Sequence, residues 1–190
     1  MKNPEAVLNT YLTDMHAVEK HILEAVERQL DDDDLKKYPE ASRVVTTLQT
    51  TLKRHCTAIE TKIDARDGGD VKQAVKEAIG GALGFVAGLY DRVRDDEVSR
   101  MIRDDYTATS LAAVSYHMLH TTALALKNGE VADMALRHLK DLTPILVDLS
   151  KVVCDVVAKE LAAENKVFDG TVGPQAIRNT QEAWSAEVAG

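Results

Sequence analysis

The sequence predicts an all-α fold, an antiparallel bundle of four long helices with an additional small-residue-rich helix and a C-terminal tail. Three observations predict it. Apolar residues recur three or four positions apart through most of the 190 residues, the signature of helices with one buried face. Aromatic residues make up only 4%, too few for the period-two pattern of a sandwich or barrel. Ala, Leu, Val, Lys and Glu stand in helical spacing instead.

Pro4 suits the first turn of a helix, and the first helix runs to about Leu30 with Leu8, Leu12, Met15, Ile22, Leu23 and Val26 along one side. Asp31 to Asp34 stops it. Four adjacent carboxylates repel one another, and the alternating ligands and glycine turn of a Ca²⁺ loop are missing, so the run reads as a solvated turn. The second helix spans about Pro39 to Ala65, with a seam of Val44, Val45, Leu48, Leu52, Ile59 and Ile63, and Gly68-Gly69 ends it. The third, about Asp70 to Arg94, is rich in small residues from Ala74 to Gly88. Glycine is costly inside a helix, so this density predicts close helix contact or a break near Gly80-Gly81. No GKS or GKT follows, which excludes a phosphate-binding loop.

The fourth helix runs from about Glu97 to Lys127, and Asn128-Gly129 reads as its C-cap and turn. The fifth, about Glu130 to Ala163, contains Pro144, which predicts a kink or a junction between two shorter helices. The short turn makes the fourth and fifth helices antiparallel neighbours. Residues 1–164 form the bundle. Residues 165–190 form an extension with Gly170, Gly173, Pro174 and a weak helical stretch around Trp184, which docks on the bundle or on a partner chain.

The formal net charge is −8 and no dense basic cluster exists, which argues against nucleic acid as a partner. Cys56 and Cys154 lie far apart without CxxC or Cys/His zinc spacing, so both read as reduced thiols. No apolar run reaches the ~20 residues of a membrane span, and Met1-Lys2-Asn3-Pro4 does not read as a signal peptide. No membrane partner and a cytoplasmic location are therefore expected.

Polar residues on apolar seams carry the chemical information. Glu19 shares a face with Leu12, Met15, Ile22, Leu23 and Val26. A carboxylate buried there is expensive unless it is paired or holds a metal. His55 is surrounded at helical spacing by Leu48, Leu52, Ile59 and Ile63, and His138 by Val131, Met134, Ala135, Leu142 and Ile145. Asp141 lies one turn beyond His138. His117 and His120 share a face with Ala113 and Leu124, and Asp105 lies farther up that helix. His16, His21 and Glu60 fall on the rim. Imidazoles and carboxylates projecting inward from several helices are how bundles build metal sites. The competing explanation is a set of satisfied core histidines, with Glu19 paired to a His or to an Arg such as Arg54, which specifies register without chemistry.

The segment Asp14-Met-His-Ala-Val-Glu19-Lys-His21, the Leu52-Lys-Arg-His55 stretch, the small-residue helix around Gly80 to Gly88, Asp105 through His117 and the Asn128-Gly129 turn together resemble the ferritin-like stress proteins of the YciE/YciF type. The resemblance covers the organisation of about residues 5 to 160. It implies a ferritin-like four-helix bundle, a homodimer or larger assembly, and an inter-helix His/carboxylate metal site with stress-related redox or oxygen/peroxide chemistry. The pattern departs from the family at Ala58, Tyr116, Leu119 and Asp141-Leu142, where glutamates are expected. A di-iron centre needs about four carboxylates; here two carboxylates and several imidazoles remain.

The expected site is thus Glu19, His55, His117, His120, His138 and Asp141, holding iron, zinc or manganese, or no ion at all. The alternative is a non-catalytic bundle for assembly or partner binding with a vestigial site. A non-covalent haem between paired histidines is a third option, since no CxxCH occurs. No GxSxG motif or cysteine arrangement supports nucleophilic catalysis.

Overall fold

A computed structural model describes residues 3–66 and 97–185. The expected third helix, Asp70 to Arg94, and the Gly68-Gly69 stop lie outside the described residues. Among the described residues all regular structure is α-helical: α1 (Pro4–Asp31), α2 (Asp33–Lys36), α3 (Pro39–Asp64), α4 (Val98–Ala125), α5 (Gly129–Glu164) and α6 (Gly173–Ser185). No helix there is long and apolar enough to cross a membrane.

The helix ends follow local chemistry. Pro4 and Pro39 sit in first turns, and the Asn3 side chain accepts from the Glu5 N–H at 3.1 Å. The aspartate run is more than a solvated turn. Asp32 ends α1 and, with its carboxylate on the Asp34 N–H at 2.8 Å, caps the single turn of α2. Leu35 in that turn is buried.

Asn128-Gly129 is not the C-cap expected from the sequence. Lys127 takes the left-handed conformation, with φ 55°. The Asn128 N–H bonds to the Ala123 carbonyl and the Lys127 N–H to the Leu124 carbonyl, the paired bonds of a Schellman close. Asn128 then N-caps α5 through the Val131 N–H at 3.0 Å. The junction expected at Pro144 is absent, because α5 is one helix of 36 residues with Pro144 inside it.

Packing fixes the helix directions. α1 packs on α3 and α4, and α5 packs on the same two helices. Glu5 meets Arg66 and His16 meets Glu60, so α1 and α3 are antiparallel. Lys62 with Glu130 and Arg54 with Asp141 give the same relation for α3 and α5. Ser99 with Glu160 and Tyr116 with His138 give it for α4 and α5, so α1 and α4 are antiparallel too, joined by Gln29 and Asp105. Hence α3 and α4 run the same way, and α3 ends at the end of the assembly opposite to where α4 begins. The shared interior is aliphatic, with Leu12, Ile22, Leu48, Leu52, Ile102 and Leu142 all excluded from solvent. The tail helix α6 packs on α5. Trp184 stays half exposed, with its ring 6.2 Å from that of Tyr106.

Candidate metal centre

At one level of the four long helices the aliphatic interior is interrupted by a polar layer. α1 contributes Glu19, α3 His55, α4 Tyr116 and α5 His138. Each lies on its helix's buried stripe, between Met15 and Ile22, Leu52 and Ile59, Ala112 and Leu119, and Ala135 and Leu142. The helical repeat therefore delivers all four to one level. Glu19, His55 and Tyr116 are fully buried and His138 is 5% exposed.

His55 is the hub. Its Nδ1 lies 2.9 Å from Glu19 Oε1 and its Nε2 3.2 Å from Asp141 Oδ2. A ring carrying both protons donates to both carboxylates. With Nε2 alone protonated, Nδ1 presents a lone pair beside Glu19. The same Asp141 oxygen accepts from the Arg54 guanidinium at 2.8 Å. The His138 ring stacks on His55, with centroids 3.7 Å apart and planes 1° from parallel. Its Nδ1 is 2.8 Å from the Tyr116 hydroxyl.

Burial sets the electrostatics. It raises the pKa of the Glu19 carboxyl against the hydrogen bond and charge of His55, which pull it down. The second carboxylate oxygen, Oε2, is buried with no hydrogen-bond partner among the described residues. The Tyr116 hydroxyl is near enough to lower the Glu19 pKa. It acts on Glu19 as a hydrogen-bond donor and also lies 2.8 Å from His138 Nδ1. Burial, then the Glu19 charge, pushes the Tyr116 phenol well above its ordinary range. Burial, then the charge of His55, drives His138 down to about 3, so its ring is neutral near pH 7. A neutral imidazole is the form that binds a metal. Cys56, one residue beyond His55, is held up at about 12 by burial and remains an inert thiol.

Glu19, His55 and His138 each offer a ligand atom, and these atoms lie within 4.8 Å of one another. Metal–ligand bonds of ~2.1 Å span at most about 4.2 Å across one ion, close to this spacing. Parallel stacked rings cannot both point in-plane lone pairs at one ion, so one ring must turn. Glu19 and Asp141 pin His55 at both nitrogens, whereas among the described residues His138 has one hydrogen bond, to Tyr116, besides its stack on His55. His138 is therefore the less restrained of the two rings.

The other expected ligands fall outside this group. Asp141 contacts the far nitrogen of His55, and its side chain is 40% exposed. His120 is half-buried, with Nδ1 on the Ala132 carbonyl at 2.8 Å. His117 is exposed, which corrects its inward placement. Both faces of α4 carry apolar residues: Val114, Met118 and Leu124 lie outside while Ala112, Tyr116, Leu119 and Ala123 lie inside. The phase through Ala113, His117 and Leu124 is therefore one residue off. Tyr116 is the functional candidate that this phase error hid; its position three residues before Leu119 and four after Ala112 was the available signal. Gln29 was also missed as a buried partner of Asp105, at 3.0 Å. His16 pairs with Glu60 at 2.8 Å on the rim. Arg54 pairs with Asp141 rather than with Glu19. Comparison of the chain with family models, with curated proteins and with solved structures finds no match in any of the three.

Proposed function

We propose that this protein is a ferritin-like four-helix bundle that binds one divalent metal ion at Glu19, His55 and His138. The observation that carries the proposal is the convergence of these three buried groups from three helices, with ligand atoms within 4.8 Å of one another. A carboxylate buried among aliphatic side chains is costly, and a cation lowers that cost. The ferritin-like part rests on direction: α3 and α4 run parallel, as a bundle with one long crossover requires.

Two imidazoles and one carboxylate suit Zn²⁺ or Fe²⁺ better than Mn²⁺, which favours oxygen ligands. Among the described residues of the layer, Glu19 is the one fully buried carboxylate, which supports a single ion over a carboxylate-bridged pair. Such an ion would supply Lewis acidity or, as iron, redox chemistry with oxygen or peroxide of the kind used in stress responses. The chain's own residues bind and orient. Glu19 supplies negative charge, His55 and His138 supply neutral nitrogen donors, and the surrounding Met15, Ile22, Leu52 and Leu142 exclude bulk water.

The test is dialysis against Zn²⁺ or anaerobic Fe²⁺, then elemental analysis after exhaustive washing. One ion per chain is expected in the wild type and none in Glu19→Gln or His138→Ala. A wild type without stoichiometric metal sinks the proposal.

One observation favours a metal-free alternative, a bundle serving assembly or partner binding. His55 sits between two carboxylates and stacks on a parallel His138, contacts that form without an ion. Deleting residues 165–190, which carry the half-exposed Trp184, would then change the sedimentation or partner capture of the protein. Unchanged behaviour would count against that alternative.

A further inference from the structure

Asp141 meets the layer from outside. It lies on α5 one turn from His138, yet it contacts His55 of α3, at the ring nitrogen remote from Glu19. We propose that Asp141, anchored by Arg54, is a positioning residue that fixes the tautomer of His55 so that its Nδ1 lone pair faces the ion beside Glu19. The inference rests on the metal-binding function proposed above and assigns Asp141 a role other than ligand.

The physical case is geometric. A neutral imidazole carries one proton, and the hydrogen bond made by one nitrogen decides which atom is free to ligate. Asp141 Oδ2 lies 3.2 Å from His55 Nε2. A proton kept on Nε2 leaves Nδ1, 2.9 Å from Glu19 Oε1, as the donor atom. Asp141 suits the task because it sits at the edge. Its side chain is 40% exposed against 0% for Glu19 and His55, so water and Arg54 solvate its charge while its oxygen reaches inward. Arg54 precedes His55 on α3 and donates to the same Oδ2 at 2.8 Å. Acceptor and ring are thereby tied to one another across the α3–α5 contact. The hydrogen bond also restrains rotation of His55, so His138 is left as the less restrained ring.

Co²⁺ provides the probe, because its visible spectrum reports the ligand set while competition with a chromophoric chelator gives the affinity. Asp141→Ala should weaken Co²⁺ binding about 10- to 100-fold, the usual effect of losing such an outer partner, with one ion per chain retained. Asp141→Asn, which keeps an oxygen acceptor for Nε2–H, should recover most of that loss with the wild-type spectrum. Arg54→Gln should weaken binding a few-fold without altering the spectrum, and it serves as the second probe if Asp141→Ala fails to fold. Affinity of Asp141→Ala within twofold of wild type overturns the proposal. So does a loss that Asp141→Asn does not recover, or a changed spectrum in Asp141→Asn, which would make Asp141 a ligand. A wild-type protein that takes up no Co²⁺ would instead bring down the underlying metal-binding function, and this inference with it.

Discussion

Two buried carboxylates among the described residues, Glu19 and Asp105, meet different partners at places about ten residues apart along α1. At one, Gln29 of α1 donates to Asp105 of α4 at 3.0 Å. At the other, Glu19, His55, Tyr116 and His138 bring one group from each of the four long helices. The Gln29 amide donating to the Asp105 carboxylate ties α1 to α4. Two imidazoles beside a carboxylate both join helices and can ligate. The comparison teaches that burial of an acid is not by itself the mark of a site; what distinguishes the Glu19 layer is imidazoles arriving from two further helices.

The largest expected effect tests the coupling within the layer. His55→Leu leaves the Glu19 charge buried without its partner, and breaking such a pair costs about 3–5 kcal/mol. Urea unfolding in the presence of chelator should show this loss, and Glu19→Leu/His55→Leu together should recover most of it. Gln29→Leu, which leaves Asp105 without that one donor, should cost less, about 1–3 kcal/mol. Equal losses at the two places would erase the distinction between them.

The pH dependence of the metal-free protein sharpens the same contrast. The pKa of His138 is about 3 when folded against an ordinary 6.5, so the unfolded chain binds the extra proton between these values. Its contribution to stability is intact above pH 6.5 and is lost as pH falls toward 3. Glu19 has the opposite sign. Its folded value is raised above 4.5, so its contribution is complete below 4.5 and is lost as pH rises through the folded value. His138→Gln should flatten the acid-side loss and Glu19→Gln the loss on the other side. Unfolding curves from pH 3 to 8 read both slopes, and a variant that shifts the whole curve without changing its slope would contradict the assignment.

Smaller effects lie at the helix junctions. A Cβ on Gly173 would stand 2.8 Å from Asp155 Oδ1 and 3.0 Å from the Asp155 Cα. The Cα is backbone and cannot swing away, so Gly173→Ala should push the start of α6 off α5, costing about 1–3 kcal/mol by overpacking. Faster proteolysis of the tail, with metal affinity unchanged, is the expected readout. The smallest effect is a gain. Lys127→Gly relieves the left-handed strain at φ 55° and should stabilise the chain by about 0.5–1 kcal/mol, measurable as a small rise in Tm.

The helices were legible in the sequence because their buried stripes are made of large aliphatic side chains. Leu8, Leu12, Ile22 and Val26 in α1 and Val44, Leu48, Leu52 and Ile59 in α3 mark one face each. The same stripes place Glu19, His55 and His138 inside. α4 was harder to read: alanines, serines and threonines pack on either side, and Val114, Met118 and Leu124 face outward, so periodicity pointed to His117 in place of Tyr116. Which helices are neighbours was legible only for α4 and α5, from their short turn. The contact between Asp141 and His55, 86 residues apart, depends on how α5 turns against α3, which spacing along either helix does not encode. The cap at Lys127 was hidden because Asn128 and Gly129 look like better turn residues than a lysine.

The most direct measurement is an anomalous difference map from crystals of the protein grown with Zn²⁺. A single peak per chain at bonding distance from Glu19, His55 and a rotated His138, with Asp141 still on His55 Nε2, is the predicted result. A fully metal-exposed crystal with no peak in this layer, or with zinc only at surface groups such as His117, would contradict it.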